Sequence, residues 1–81
     1  MKQTLITEIT KKIPDVEIKI FTNDNKYFNA IIISNDFLNK DLVERQQLIY
    51  NIISNYIINK TIHAISFKTY TKDEWLIENK D

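Results

Sequence analysis

No glycine occurs in the 81 residues of this chain, and that absence limits its fold more than any residue that is present. Glycine enters left-handed backbone conformations without steric cost, so tight turns here have to be built from asparagine and aspartate, which tolerate those conformations best among the other residues. The same absence removes glycine-rich phosphate loops, nucleophile elbows and a true GxxG clamp. An 81-residue chain that is 43% hydrophobic forms one small core, so the reading is a single domain over residues 1–81. There is no cysteine, hence no disulfide framework, thiolate zinc site or cysteine nucleophile, and packing alone must supply stability. Eleven basic and eleven acidic side chains give zero formal charge, which removes long-range attraction to nucleic acid and leaves room only for a local basic patch. The longest apolar run, Ala30 to Ile33, is far too short to span a membrane, and the N-terminus lacks a signal-peptide block. A soluble, cytoplasmic protein is expected, an organellar one being open if a targeting segment has been lost.

Hydrophobic period orders the elements. Leu5, Ile6, Ile9 and Ile13 recur at helical spacing over Lys2 to Lys12, and Pro14 ends that helix. Val16, Ile18 and Ile20 alternate with Glu17, Lys19 and Phe21, the period of a half-buried strand. Thr22 to Lys26 is a polar cluster suited to a hairpin turn, and a second strand spans Tyr27 to Ser34, apolar on both faces at its far end and so read as central. Asn35 to Lys40 breaks the pattern. Asp41 with Glu44 then forms an aspartate capping box for a long helix ending near Ile58, with Leu42, Ile49, Ile52, Ile53, Tyr56 and Ile57 on one stripe. A third strand from Ile62 to Thr69 puts His63, Ile65, Phe67 and Thr69 on one face, and the Thr71/Glu74 capping box starts a last short helix, fraying over Glu78 to Asp81. The order is helix, strand, strand, helix, strand, helix, an α+β class.

Residues 62–75, IHAISFKTYTKDEW, hold the only histidine and the only tryptophan. Taken alone, His63 reads as a strand-edge residue bonded to a nearby carbonyl. A hydrolase or transferase has little to stand on, since a lone histidine lacks a nucleophile partner and the carboxylates are scattered. Arg45, Gln46 and Gln47 read as a solvated helix face, with Arg45 pairing locally to Glu44 or Asp41. Tyr50, Tyr56, Phe67 and Trp75 read as core or core-edge aromatics.

These segments together resemble the BolA-like proteins over nearly the whole chain. Phe37, Asp41, Leu42, Arg45 and Ile49 match that family's loop-to-helix signature in order and spacing, and His63-Ala64, Thr69-Tyr70-Thr71 and Glu74-Trp75 match its C-terminal signature. The resemblance implies an αββαβα domain, a three-stranded sheet with helices packed on it, related to type II KH folds. It further implies a non-enzymatic adaptor that binds a monothiol glutaredoxin around a 2Fe-2S cluster shared with that partner and glutathione, acting in iron-sulfur trafficking, iron and redox regulation or stress response. The isolated chain is expected to hold no cofactor and to be a monomer or weak homodimer. By that similarity His63 is the metal ligand, and His63, Tyr27, Lys26 and Thr69 line the partner surface. Many members carry a second ligand, histidine or cysteine, in the first hairpin; here the loop reads FTNDNKYF, with Tyr27 at that position, and Asn39 stands where glycine is usual. The KH-like topology also implies an alternative, a DNA-binding regulator whose long helix enters a groove with Lys40, Arg45, Gln46 and Gln47.

Overall fold

Helix α1 spans Lys2–Lys12 and buries Leu5 and Ile9, with Ile13 following one turn later before Pro14 in a computed structural model that describes residues 1–79. Pro14 has no main-chain donor and cannot extend the helix. Strands β1, Glu17–Phe21, and β2, Tyr27–Ile33, form an antiparallel hairpin with Ile20 opposite Ala30 and Phe21 opposite Asn29. A short 3₁₀ turn, Asn35–Phe37, leads to helix α2, Leu42–Ile58, which returns the chain so that β3, Ala64–Tyr70, lies parallel to β2. Helix α3, Lys72–Glu78, closes the order αββαβα around a sheet of strand order β1-β2-β3, with β2 central as its two apolar faces predict. No described helix is long and apolar enough to cross a membrane.

The inner sheet face presents Ile20, Phe28, Ala30, Ile32 and Ile65, which pack with Leu5, Ile9 and Ile13 from α1 and with Ile49 and Ile53 from α2 in one core. Each of the leucine, isoleucine and phenylalanine side chains contributes about 1.5–3 kcal/mol by leaving water. Both predicted capping boxes form. The Asp41 carboxylate accepts from the Glu44 N–H at 2.8 Å while Glu44 accepts from the Asp41 N–H at 3.0 Å, and Thr71 with Glu74 repeats the arrangement at 3.2 and 2.9 Å. Each cap is worth about 1 kcal/mol.

The glycine-free chain takes positive φ at three positions, Asn25 (58°), Asn39 (63°) and Lys60 (58°). The asparagines are the residue type the sequence offers for this task. Lys60 is not: a lysine held left-handed costs about 1 kcal/mol, and it is kept there because the next two N–H groups, of Thr61 and Ile62, both donate to the Tyr56 carbonyl at 2.9 and 3.1 Å.

The start of the third strand and the burial of Leu42 differ from expectation. The third strand begins at Ala64 and not at Ile62, because the Ile62 N–H is spent on the end of α2 while its side chain is fully buried. Leu42 is exposed, though its spacing puts it on the apolar stripe, and its neighbours Val43 and Glu44 in the first turn of α2 are exposed as well. Of the fraying expected over Glu78 to Asp81, Glu78 is instead the last residue of α3 and the Asn79 N–H donates to the Trp75 carbonyl at 2.8 Å, while Lys80 and Asp81 lie outside the described residues.

Candidate functional site

The hairpin turn is built by side chains standing in for glycine. Asp24 Oδ1 accepts the N–H groups of Lys26 and Tyr27 at 2.9 and 3.1 Å, while Thr22 Oγ1 accepts from the Asn25 N–H at 3.0 Å and donates to the Tyr27 carbonyl at 2.8 Å. Donation from the Lys26 and then the Tyr27 N–H holds the Asp24 carboxyl below its usual range. This fixed loop is pinned to the start of β3: the Lys26 carbonyl accepts from both His63 N–H at 2.8 Å and Ala64 N–H at 3.2 Å. His63 is thereby placed between buried Ile62 and the first ladder residue with its imidazole exposed, tilted against Tyr27 at 5.7 Å between ring centroids.

The structure brings His63, Tyr27 and Lys26 together and leaves Thr69 apart. Thr69 pairs with Ile32 near the other end of the parallel ladder and is only 7% exposed, facing the core with an Oγ1 that finds no partner. Its place in the partner surface is therefore corrected; strand periodicity puts it on the inner face with Ile65 and Phe67.

The donors at this end are few. No group of three or more His, Cys, Asp or Glu side chains able to hold a metal occurs among the described residues. A 2Fe-2S cluster takes four ligands, and with one histidine and no cysteine the residues present do not fit a cluster held by this chain alone.

The opposite end of the sheet carries polar contacts that no local pattern reveals. Asp15 accepts the hydroxyl of fully buried Ser34 at 2.5 Å and the Asn35 N–H at 3.0 Å, and these bonds, in that order of strength, lower its pKa. The Ser34 N–H donates to the Tyr70 carbonyl at 2.9 Å, and the Lys72 N–H donates to Asn35 Oδ1 at 3.2 Å. Next to this, Arg45 forms a two-point pair with Glu74 at 2.6 and 3.1 Å, donates through Nε to the Lys40 carbonyl at 2.9 Å, and lies over the Phe37 ring at 5.8 Å. Arg45 holds the Glu74 pKa down to about 2, helped by the Thr71 N–H, and its own is raised.

Arg45 is thus corrected from a locally paired surface residue to a tie between α2 and α3. Its expected partners, Asp41 and Glu44, are engaged with each other in the capping box, and its side chain is only 12% exposed. Lys40 Nζ donates to the Asp36 carbonyl at 2.9 Å. Of the four residues named for a DNA groove, Gln47 alone is exposed, and Lys40, Arg45 and Gln46 are half-buried. Nothing in the sequence joins Arg45 to Glu74 or Asp15 to Ser34 beyond their presence near element ends.

Comparison with known proteins agrees with this architecture. A family model for BolA-like proteins matches residues 7–74. An uncharacterized protein of Buchnera aphidicola subsp. Baizongia pistaciae is 47% identical over 72 residues, covering 89% of this chain and 90% of that one. The acid stress protein IbaG of Escherichia coli K12 is 34% identical over 59 residues, 73% of this chain and 70% of IbaG. Among solved structures, BolA1 from Arabidopsis thaliana superposes with a TM-score of 0.77 at 26% identity, covering 89% of this chain and 92% of BolA1. With both signatures in register on an αββαβα frame, the chain belongs to the BolA-like family.

Proposed function

We propose that this protein is a non-enzymatic BolA-like adaptor that docks a monothiol glutaredoxin through the edge formed by His63, Tyr27 and Lys26, in iron-sulfur trafficking or iron and redox regulation. The observation that carries the reading is the exposed imidazole of His63, fixed by main-chain bonds to a rigid hairpin and not by any bond that would occupy the ring. A neutral imidazole is a competent iron donor, and a backbone already held by hydrogen bonds needs no loop ordering on binding. A 2Fe-2S cluster is cargo in this reading: the chain contributes one nitrogen donor, and the partner and its glutathione provide the remaining ligands. Tyr27, beside His63, supplies contact area at the same edge.

Addition of the protein to a cluster-loaded monothiol glutaredoxin is expected to change the visible circular dichroism of the cluster. His63→Ala should lose the change while keeping its fold by far-ultraviolet dichroism. Co-elution with an unchanged cluster spectrum would reduce the role to metal-independent docking. Separate elution with and without cluster would defeat the reading altogether.

A further inference from the structure

Helix α3 covers the outer sheet face at one end only, where Trp75 packs on Tyr70 with ring centroids 5.2 Å apart. The rest of that face is open. Across the strands, Lys19, Ile31 and Lys68 form one row and Phe21, Asn29 and Ser66 the next. Phe21, Asn29, Ile31, Ser66 and Lys68 line a groove of about 330 Å³; Lys19 stands outside it, at the end of its row. Tyr27 lies on the same face as Asn29 and Ile31 by strand alternation. Phe21 is 57% and Tyr27 58% exposed, and burial of such rings would return roughly 1.5–3 kcal/mol each.

The two rings stand on adjoining strands in a diagonal relation, about 7–8 Å apart at the backbone; Tyr27 also lies against His63 at 5.7 Å between centroids. Lys68 forms no salt bridge among the described residues. The Lys19 ammonium sits over the Trp75 ring at 5.2 Å, keeping its charge on this face. Glu17, in the row with Ile33 and Tyr70, is the one carboxylate at an outward strand position; Asp24, in the adjoining hairpin, is turned onto its own loop's N–H groups. Flat π faces at neighbouring positions with anionic links between them are the chemistry of a single-stranded nucleic acid, whereas a duplex keeps its bases stacked on each other. A second copy of this chain would add further lysines to a face that already carries Lys19 and Lys68.

We propose that this open sheet face binds single-stranded RNA, with successive bases on Phe21 and Tyr27, phosphates at Lys19 and Lys68, and ribose hydroxyls at the Asn29 amide and Ser66 hydroxyl. The ribose contacts set RNA above DNA. Zero net charge withholds long-range steering, so affinity is local and moderate. The face is separate from the His63 edge except for Tyr27, which both use, so the deciding variants are Phe21→Ala and Lys68→Glu.

Fluorescence anisotropy of labelled oligouridylate with the whole chain at low salt should saturate in the micromolar range. Phe21→Ala and Lys68→Glu should each weaken it by about tenfold, with melting temperatures close to the parent's, and oligothymidylate should bind several-fold more weakly. Phe21→Ala should leave the glutaredoxin effect unchanged. Amide resonances of Phe21, Asn29, Ile31, Ser66 and Lys68 should shift on titration. Absence of saturation at about 100 µM protein, both variants binding like the parent, shifts confined to α2, or a preference for duplex would overturn the proposal. Equal binding of oligothymidylate would overturn its assignment to RNA, and displacement by oligoglutamate at equal concentration would overturn the stacking contribution.

Discussion

The two ends of the sheet contrast sharply. At the Ser34 end, side chains from α1's exit, the β2 exit, α2 and α3 make bonds across long stretches of chain: Asp15 with the Ser34 hydroxyl, Asn35 with the Lys72 N–H, Arg45 with Glu74. At the His63 end, the bonds are main-chain or within the hairpin, and the side chains of His63, Tyr27 and Lys26 are left to solvent. The first end spends its polar groups on holding the fold, while the second fixes its backbone and leaves its donors free. A binding edge needs that division, because a rigid frame lowers the entropy lost when a partner docks.

Mutations should separate the two ends by magnitude. Phe37, fully buried beneath Arg45, anchors the locked end, and Phe37→Ala should cost about 3–5 kcal/mol in urea denaturation. Asp15→Ala strips an acceptor from buried Ser34 and from the Asn35 N–H, with an expected loss of about 1–3 kcal/mol. Parity with the parent there would show that the Ser34 end is not locked by these bonds.

The Arg45–Glu74 pair gives a pH signature. Glu74 is lowered from 4.5 to about 2 in the folded protein, so the unfolded chain binds its proton first on acidification. Stability from this pair is fully present above about pH 4.5 and is lost as the pH falls through about 2. Because the Glu74 side chain is 48% exposed, solvent screening leaves on the order of 1 kcal/mol. Glu74→Gln should therefore differ from the parent by that amount at neutral pH and converge with it in acid; a constant gap between the two denaturation curves would contradict the assignment. Lowered Asp15 acts with the same sign.

At the His63 end, His63→Ala should change stability by no more than about 0.5 kcal/mol, while removing the effect on a glutaredoxin-bound cluster. A large loss of stability would erase the contrast between the ends. Smallest of all, Thr69→Val should be neutral or slightly stabilising by thermal melting, since it removes a buried hydroxyl with no partner and keeps its shape.

What was legible in the sequence is what neighbours along the chain decide. Helical and strand periods placed α1, α2 and the alternation of all three strands, and the two capping boxes located the starts of α2 and α3 to the residue. Asn25 and Asn39 took the left-handed positions that a chain without glycine must assign somewhere. The family signatures singled out His63, Arg45 and Glu74 without saying which of them touch. Misplacements arose where burial depends on what lies opposite: Leu42 has helical spacing but is exposed, and Thr69 has a signature position but an inward face.

Sequence alone therefore determined the elements, their order and the chemistry available, because backbone preference, caps and periodicity act within about four residues. Only the tertiary structure decided the pairings. The parallel register of β2 and β3 brings Tyr27 level with Ala64 and so sets His63 beside it, and the same register carries Tyr70 to Ile33 and lets Arg45 reach Glu74. Contacts over such separations are selected by how helices and strands pack as whole bodies, and no local pattern encodes that choice.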